Sequence, residues 1–170
     1  MSAGASQLPL FHVVGFTGHR QLAEAPQAAA AIREVLAQLG RELPGNWVAL
    51  SSVAAGSDQL FVREARAAGL AWHAILPLPR AEFAKDFPPE EWPGVETLLG
   101  AAEHVRVINE NGTREDAYLD AGIETVNDSD VLLALWDGQP ARGRGGTADI
   151  IAYARDLGRP VVVIDAATHA

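Results

Sequence analysis

The stretch Asp130–Arg155, DVLLALWDGQPARGRGGTADIIAYAR, sets an apolar run, a glycine-rich turn and an amphipathic helix in immediate succession. Asp130–Trp136 (DVLLALW) is apolar at consecutive positions and short, which fits a strand buried on both faces of a parallel sheet. As the most apolar run in the chain it is expected to be central. Thr147–Asp156 then carries Ile150, Ile151 and Ala154, with Leu157 beyond, on one helical face. Strand, glycine turn and helix in that order form half of a βαβ unit.

The same alternation runs outward from this unit. Strands are predicted at Leu10–Phe16, Trp47–Val53, Ala71–Leu76, His104–Ile108 and Pro160–Ile164. Helices are predicted from about Glu24, with Ile32, Val35, Leu36 and Leu39 as the apolar face and Gly40 near the stop, then at Ser57–Ala68 and Glu115–Asn127. Pro77–Gly94 (PLPRAEFAKDFPPEEWPG) is broken by prolines and reads as a long loop, a candidate cover for a site, with Glu90–Glu91 as the acidic first turn of a short helix. About six strands and five helices, joined by right-handed crossovers, predict an α/β fold: a doubly wound, mainly parallel sheet with helices on both faces, Rossmann-like. Residues 1–170 are expected to form one domain, since no linker, repeat or low-complexity tract interrupts them.

Composition narrows the function. The chain has 170 residues, 48% of them hydrophobic and 21% charged, a globular balance. Its net charge of -9 disfavours long nucleic acids, while a small nucleotide needs only a few oriented N–H groups and an arginine. The absence of cysteine removes disulfides and thiolate chemistry and suits a reducing compartment. Neither a basic, apolar leader nor a run of roughly 18 apolar residues is seen, so a cytoplasmic protein without membrane contact is expected. No His and carboxylate spacing defines a metal site; His12, His73 and His104 fall in strands and read as packing residues.

Ligands of open α/β sheets lie beyond the carboxyl ends of the strands, and three such ends stand out here. Gly15–Arg20 (GFTGHR) brings Gly15 and Gly18 to a tight turn, with Thr17, His19 and Arg20 as a hydroxyl, a switchable donor and a fixed cation. Ser51–Gln59 (SSVAAGSDQ) is rich in small residues; Ser52, Gly56 and Asp58 are its candidate ligand-binding positions, Asp58 as a helix cap or an acceptor of ribose hydroxyls. Trp136–Asp149 offers Asp137 and Gly138, then Gly143, Gly145 and Gly146 as an anion loop, Arg142 and Arg144 as charge, and Thr147 as a cap or phosphate ligand. The first turn lacks G-x-G-x-x-G, which argues against a redox Rossmann enzyme.

Taken together, these ends resemble the SLOG superfamily, which groups the DprA/Smf proteins and the "lonely guy" (LOG) enzymes. Ser51–Asp58 is similar to the S-G-x-A-x-G-x-D segment of DprA-like proteins, Gly145–Asp149 (GGTAD) resembles the glycine-threonine loop of LOG enzymes, and the likeness extends over Ala117–Arg155 and nearly the whole chain. The resemblance implies a Rossmann-like fold, a nucleotide-derived ligand near Gly15–Arg20, Gly56–Asp58 and Gly143–Thr147, and a homodimer built through helices. LOG enzymes cleave the N-glycosidic bond of nucleoside 5′-monophosphates with P-G-G-x-G-T-x-x-E; here Arg142 stands at the proline, Arg144 at the second glycine and Ile150 at the glutamate. Asp149 is one residue early, about 100° around the helix.

The function expected is therefore binding or sensing of an NAD-, ADP-ribose- or AMP-like ligand, with no cofactor required. The alternative is a LOG-type phosphoribohydrolase, in which Arg144 and Asp149 are the candidate catalytic residues, with Asp58 a further candidate carboxylate.

Overall fold

The computed structural model describes residues 11–170. Six parallel strands form one open sheet in the order β4-β3-β2-β1-β5-β6. They are β1 (Phe11–Gly18), β2 (Asn46–Ser51), β3 (Ala71–Leu76), β4 (His104–Val107), β5 (Val131–Trp136) and β6 (Val161–Asp165). Successive strands β1 to β4 step one way across the sheet, and the chain then crosses back to lay β5 on the free side of β1. The boundary between β1 and β5 is thus the point where the strand order reverses, where doubly wound sheets leave a crevice. Leu10, expected to open the first strand, lies outside the described residues.

The helices are α1 (Ala25–Glu42), α2 (Ser57–Ala67), α3 (Arg80–Phe83), α4 (Trp92–Gly100), α5 (Ala117–Asn127) and α6 (Thr147–Asp156). The α/β class and doubly wound sheet are as expected, with four local corrections. First, β1 runs two residues further, through Thr17 and Gly18, because both still pair with Ala134 and Leu135 of β5. Second, α1 passes through Gly40 to Glu42: a solvent-facing glycine weakens a helix without ending it, and the break comes before Pro44. Third, β5 is buried along most of its length and interior, but it stands one strand from the edge and β1 and β2 hold the centre.

Fourth, the proline-rich segment after β3 is not an open loop. It forms α3, a 3-10 turn at Ala84–Asp86 and the start of α4, and Leu78, Phe83 and Phe87 are buried. Phe83, Phe87 and Trp92 pack ring against ring, with centroids 5.0 to 6.0 Å apart. Those aromatics gain more by extending the core than by covering a site. Trp72 is likewise a core residue, its indole N–H donating to the Leu98 carbonyl at 3.0 Å.

The main core lies where α1, α2 and α4 meet the sheet, and a smaller one of Val126, Leu132, Ile150 and Ala154 joins α5 and α6 to β5. Burial of these faces is the dominant stabilising term.

Candidate functional site

A cleft of about 400 Å³ opens at the carboxyl ends of β1, β2 and β5, the volume of a small-molecule site. It is lined by the end of β1 (Phe16–Gly18) and the turn His19–Gln21, by Ser52 and Ala54 after β2 with Asp58 at the start of α2, by Gln139–Gly146 after β5 with Thr147, Ala148 and Ile150 of α6, and by Tyr118, Gly122 and Thr125 on α5.

The first two loops are clasped together. The backbone N–H and the hydroxyl of Ser57 both donate to the carbonyl of His19, at 3.1 and 2.8 Å. Gly56 has φ +82°, and a Cβ there would strike the backbone of Arg20, so only glycine permits this approach. Val53 is held at φ +51° although it carries a branched side chain, braced by its N–H bond to the Ser51 hydroxyl at 2.9 Å. Backbone strain in a valine, fixed beside a cleft, marks a loop whose shape is specified.

Asp58 sits in the first turn of α2, and its carboxylate accepts the Ala54 N–H at 3.1 Å. Burial pushes its pKa up to about 7, against the lowering effects of the Ala54 hydrogen bond and of Arg20. It is the single carboxylate lining the cleft among the described residues. A carboxyl poised near neutrality exchanges a proton easily and accepts or donates to a ligand hydroxyl.

The loop after β5 delivers a helix N-terminus. Gly146 is the N-cap of α6, and Asp149 N–H and Ile150 N–H bond back to the Gly146 carbonyl. This leaves the N–H groups of Thr147 and Ala148, both on the cleft wall, without intrahelical acceptors. Thr147 is 7% exposed as a residue and lines the cleft, and no hydrogen bond of its hydroxyl is found among the described residues. The positive end of the helix dipole and a hydroxyl without a protein partner thus face one space, a combination suited to an anion.

The cations divide into two kinds. Arg142 is ion-paired with Asp137. Arg144 Nε lies 2.7 Å from Asp116 Oδ1, an electrostatic contact without hydrogen-bond alignment, since that oxygen has no hydrogen-bond partner. Arg20 has no ion-pair partner among the described residues and lies over the Tyr118 ring, 4.4 Å from its centroid. Arg20 is the cleft cation with charge to spare.

The structure brings together Thr17, Gly18, His19, Arg20, Ser52, Asp58, Gly143, Arg144, Gly145, Gly146 and Thr147. Gly15, Gly56, Asp137, Gly138 and Asp149 stand behind the cleft surface. Gly15 packs on Thr125 and Ser129 of the α5 end, and Asp137 organises the turn after β5, accepting the Gln139 N–H at 2.9 Å while its own N–H donates to His19 Nε2 at 3.0 Å. That last bond leaves the neutral imidazole proton on Nδ1. The Gln139 bond above all holds the Asp137 carboxyl below the usual range. Asp149 accepts the Gly145 N–H at 3.1 Å. Ile150, in the position of the LOG glutamate, is buried against Gly122.

Tyr118, Gly122 and Thr125 were not legible in the sequence as site residues, because α5 precedes a strand and reaches the cleft only by folding over β1. Among the described residues no group of three His, Asp or Glu side chains is placed to hold a metal ion, and no helix is long and apolar enough to cross a membrane.

No family model and no curated protein matches the sequence. Solved structures do. The chain is similar to DNA processing protein A from Streptococcus pneumoniae, with TM-score 0.63 and 17% identity over 90% of this chain and 50% of that one. It is similar to DNA processing protein A from Helicobacter pylori, described for its single-stranded DNA binding mode, with TM-score 0.62 and 16% identity over 89% of this chain and 64% of that one. It is also similar to the molybdenum cofactor carrier protein of Chlamydomonas reinhardtii, with TM-score 0.54 and 20% identity over 91% of this chain and 76% of that one. The chain spans half to under two thirds of the two DNA processing chains.

The fold and cleft define an open parallel-sheet α/β protein with a cleft at the carboxyl ends of its strands. More narrowly, the fold is the Rossmann-like one shared with the DNA processing protein A and molybdenum cofactor carrier structures. The expectation that nucleic acid is disfavoured finds no support here, because a neighbour of the same fold binds single-stranded DNA.

Proposed function

We propose that this chain binds a phosphate-bearing nucleotide or nucleotide-derived small molecule, as a binding or sensing module without a cofactor of its own. The observation that carries it is the α6 N-terminus, where two free N–H groups and the partnerless Thr147 hydroxyl share a nucleotide-sized cleft with the unpaired Arg20. A phosphate supplies the acceptors that all four groups lack. Asp58 and Ser52 are then the acceptors for ribose hydroxyls. Both other arginines of the loop already have carboxylate partners, which favours one phosphate over a polyphosphate.

Calorimetry and thermal-shift titration with AMP, ADP-ribose and NAD test the reading, with adenosine as the phosphate-free control. Stabilisation that requires the phosphate is expected, and no stabilisation at millimolar concentration by any of them overturns it. A single-stranded oligonucleotide in the same titration tests the likeness to the DNA processing proteins.

A second reading, N-glycosidic hydrolysis of a nucleoside monophosphate, is favoured by Asp58 alone. Its buried carboxyl, with a pKa of about 7, is of the kind that activates water or stabilises a sugar cation. Water would add at C1′ as the glycosidic bond breaks, and the base would leave with a proton. Asp149 is committed to Gly145, and Arg144 lies at the rim beside Asp116. Release of adenine and ribose 5-phosphate from AMP decides it; intact AMP after prolonged incubation removes it for that substrate.

A further inference from the structure

Arg20 approaches the cleft on a side chain with four rotatable bonds, yet its guanidinium is stacked on the Tyr118 ring. The phenol of Tyr118 donates to the Asp86 carboxylate, which also pairs with Arg114. Arg114 in turn reaches the Glu82 carbonyl at 3.3 Å and its carboxylate at 3.4 Å. Asp86 and Glu82 lie outside the cleft, on the α3 and 3-10 segment that Phe83 anchors in the core. The carboxylate is therefore on a fixed base.

We infer that Asp86, acting through Tyr118, is a positioning residue that aims Arg20 at the phosphate of the ligand. The inference rests on the binding reading above and gives the segment after β3 a part in it. Two effects operate. A carboxylate accepting from the phenol adds electron density to the ring, which strengthens its hold on a guanidinium. It also fixes the ring plane, so part of the side-chain entropy that Arg20 would lose on meeting an anion is lost beforehand. Burial foremost, and Asp86 after it, push the Tyr118 hydroxyl well above its ordinary range, so it stays a donor at neutral pH.

The test compares AMP with adenosine by calorimetry, since a general structural defect weakens both and a misdirected Arg20 weakens only AMP. Asp86→Asn, outside the cleft, is expected to weaken AMP by about threefold to tenfold with adenosine unchanged; Tyr118→Phe, and Tyr118→Leu more strongly, should weaken AMP by a larger factor than adenosine. In an Arg20→Ala background Asp86→Asn should have no further effect. Equal losses for AMP and adenosine, or additive losses in the double variant, overturn the inference.

Inorganic phosphate and the ligand-free protein separate this inference from the binding reading. Phosphate binding that Asp86→Asn weakens, without any nucleotide binding, sustains the positioning role and overturns the nucleotide reading. If neither phosphate nor AMP binds, both fall. In ¹⁵N NMR of the free protein the Arg20 Nε–H resonance should be shifted by the Tyr118 ring and relax toward the other arginines in Tyr118→Leu; an unshifted wild-type resonance overturns the inference whatever nucleotides do.

Discussion

The carboxylate of Asp149 accepts the backbone N–H of Gly145 at 3.1 Å, closing the glycine loop onto the first turn of α6. A residue that the sequence offers as a displaced catalytic acid is engaged in holding the loop. Asp149→Ala should cost about 1 kcal/mol of stability, as loss of a helix-end hydrogen bond does, and Asp149→Asn should recover most of it because the amide oxygen still accepts. Urea denaturation measures both. If AMP cleavage is found, Asp149→Asn should retain it; abolished cleavage with intact stability would return Asp149 to a catalytic role.

Gly145 itself has φ +82°, and a Cβ would press on the backbone of Leu119 at the start of α5. Gly145→Ala should therefore destabilise the protein by about 1–3 kcal/mol and weaken nucleotide binding. Gly143→Ala, in the same loop but with open space around it, should leave stability within about 0.5 kcal/mol of wild type. Thermal unfolding of the pair checks the contrast; similar losses in both would mean that the loop is not pinned at Leu119.

Asp58 links stability to pH. Its folded-state pKa of about 7 lies above the ordinary value of 3.8, so between these values the folded protein holds a proton that the unfolded chain has released. The contribution is fully present at low pH and stability declines as pH rises from about 4 to about 7, levelling off above. Asp58→Asn, which keeps an acceptor for the Ala54 N–H, should remove that decline. Denaturant midpoints of wild type and variant across this range test it, and parallel pH profiles would show that Asp58 ionises normally.

Thr147→Val tests the anion subsite with little change of shape. The hydroxyl has no partner among the described residues, so stability should hold within about 1 kcal/mol, whereas a lost hydrogen bond to phosphate should weaken AMP by about tenfold. Isothermal titration together with a melting curve reads both. Unchanged AMP affinity would place the phosphate elsewhere.

Much of this architecture was legible in the sequence because parallel strands buried on both faces write themselves as apolar runs. DVLLALW and AWHAIL mark β5 and β3 almost to the residue, and α6 was predicted with its observed bounds. The glycine-rich strand ends were legible for a related reason, since small residues recur wherever the backbone turns tightly. The prolines of Pro77–Gly94 misled, because Phe83, Phe87 and Trp92 find a core that local pattern does not reveal.

What the sequence determined by itself is local: the period of each element, the α/β alternation that dictates a doubly wound sheet, and the loops from which a site can be drawn. Tertiary structure alone decided which polar groups in those loops are free. Asp149 and Arg142 are bonded to Gly145 and Asp137 and Arg144 lies against Asp116, while Thr147 and Arg20 are left for a ligand and burial raises the pKa of Asp58 to about 7. Tyr118 and Asp86 enter the account only because α5 folds across β1 and the segment after β3 packs beside it. Pairing and desolvation depend on distances between segments far apart in the chain, and no local pattern carries them.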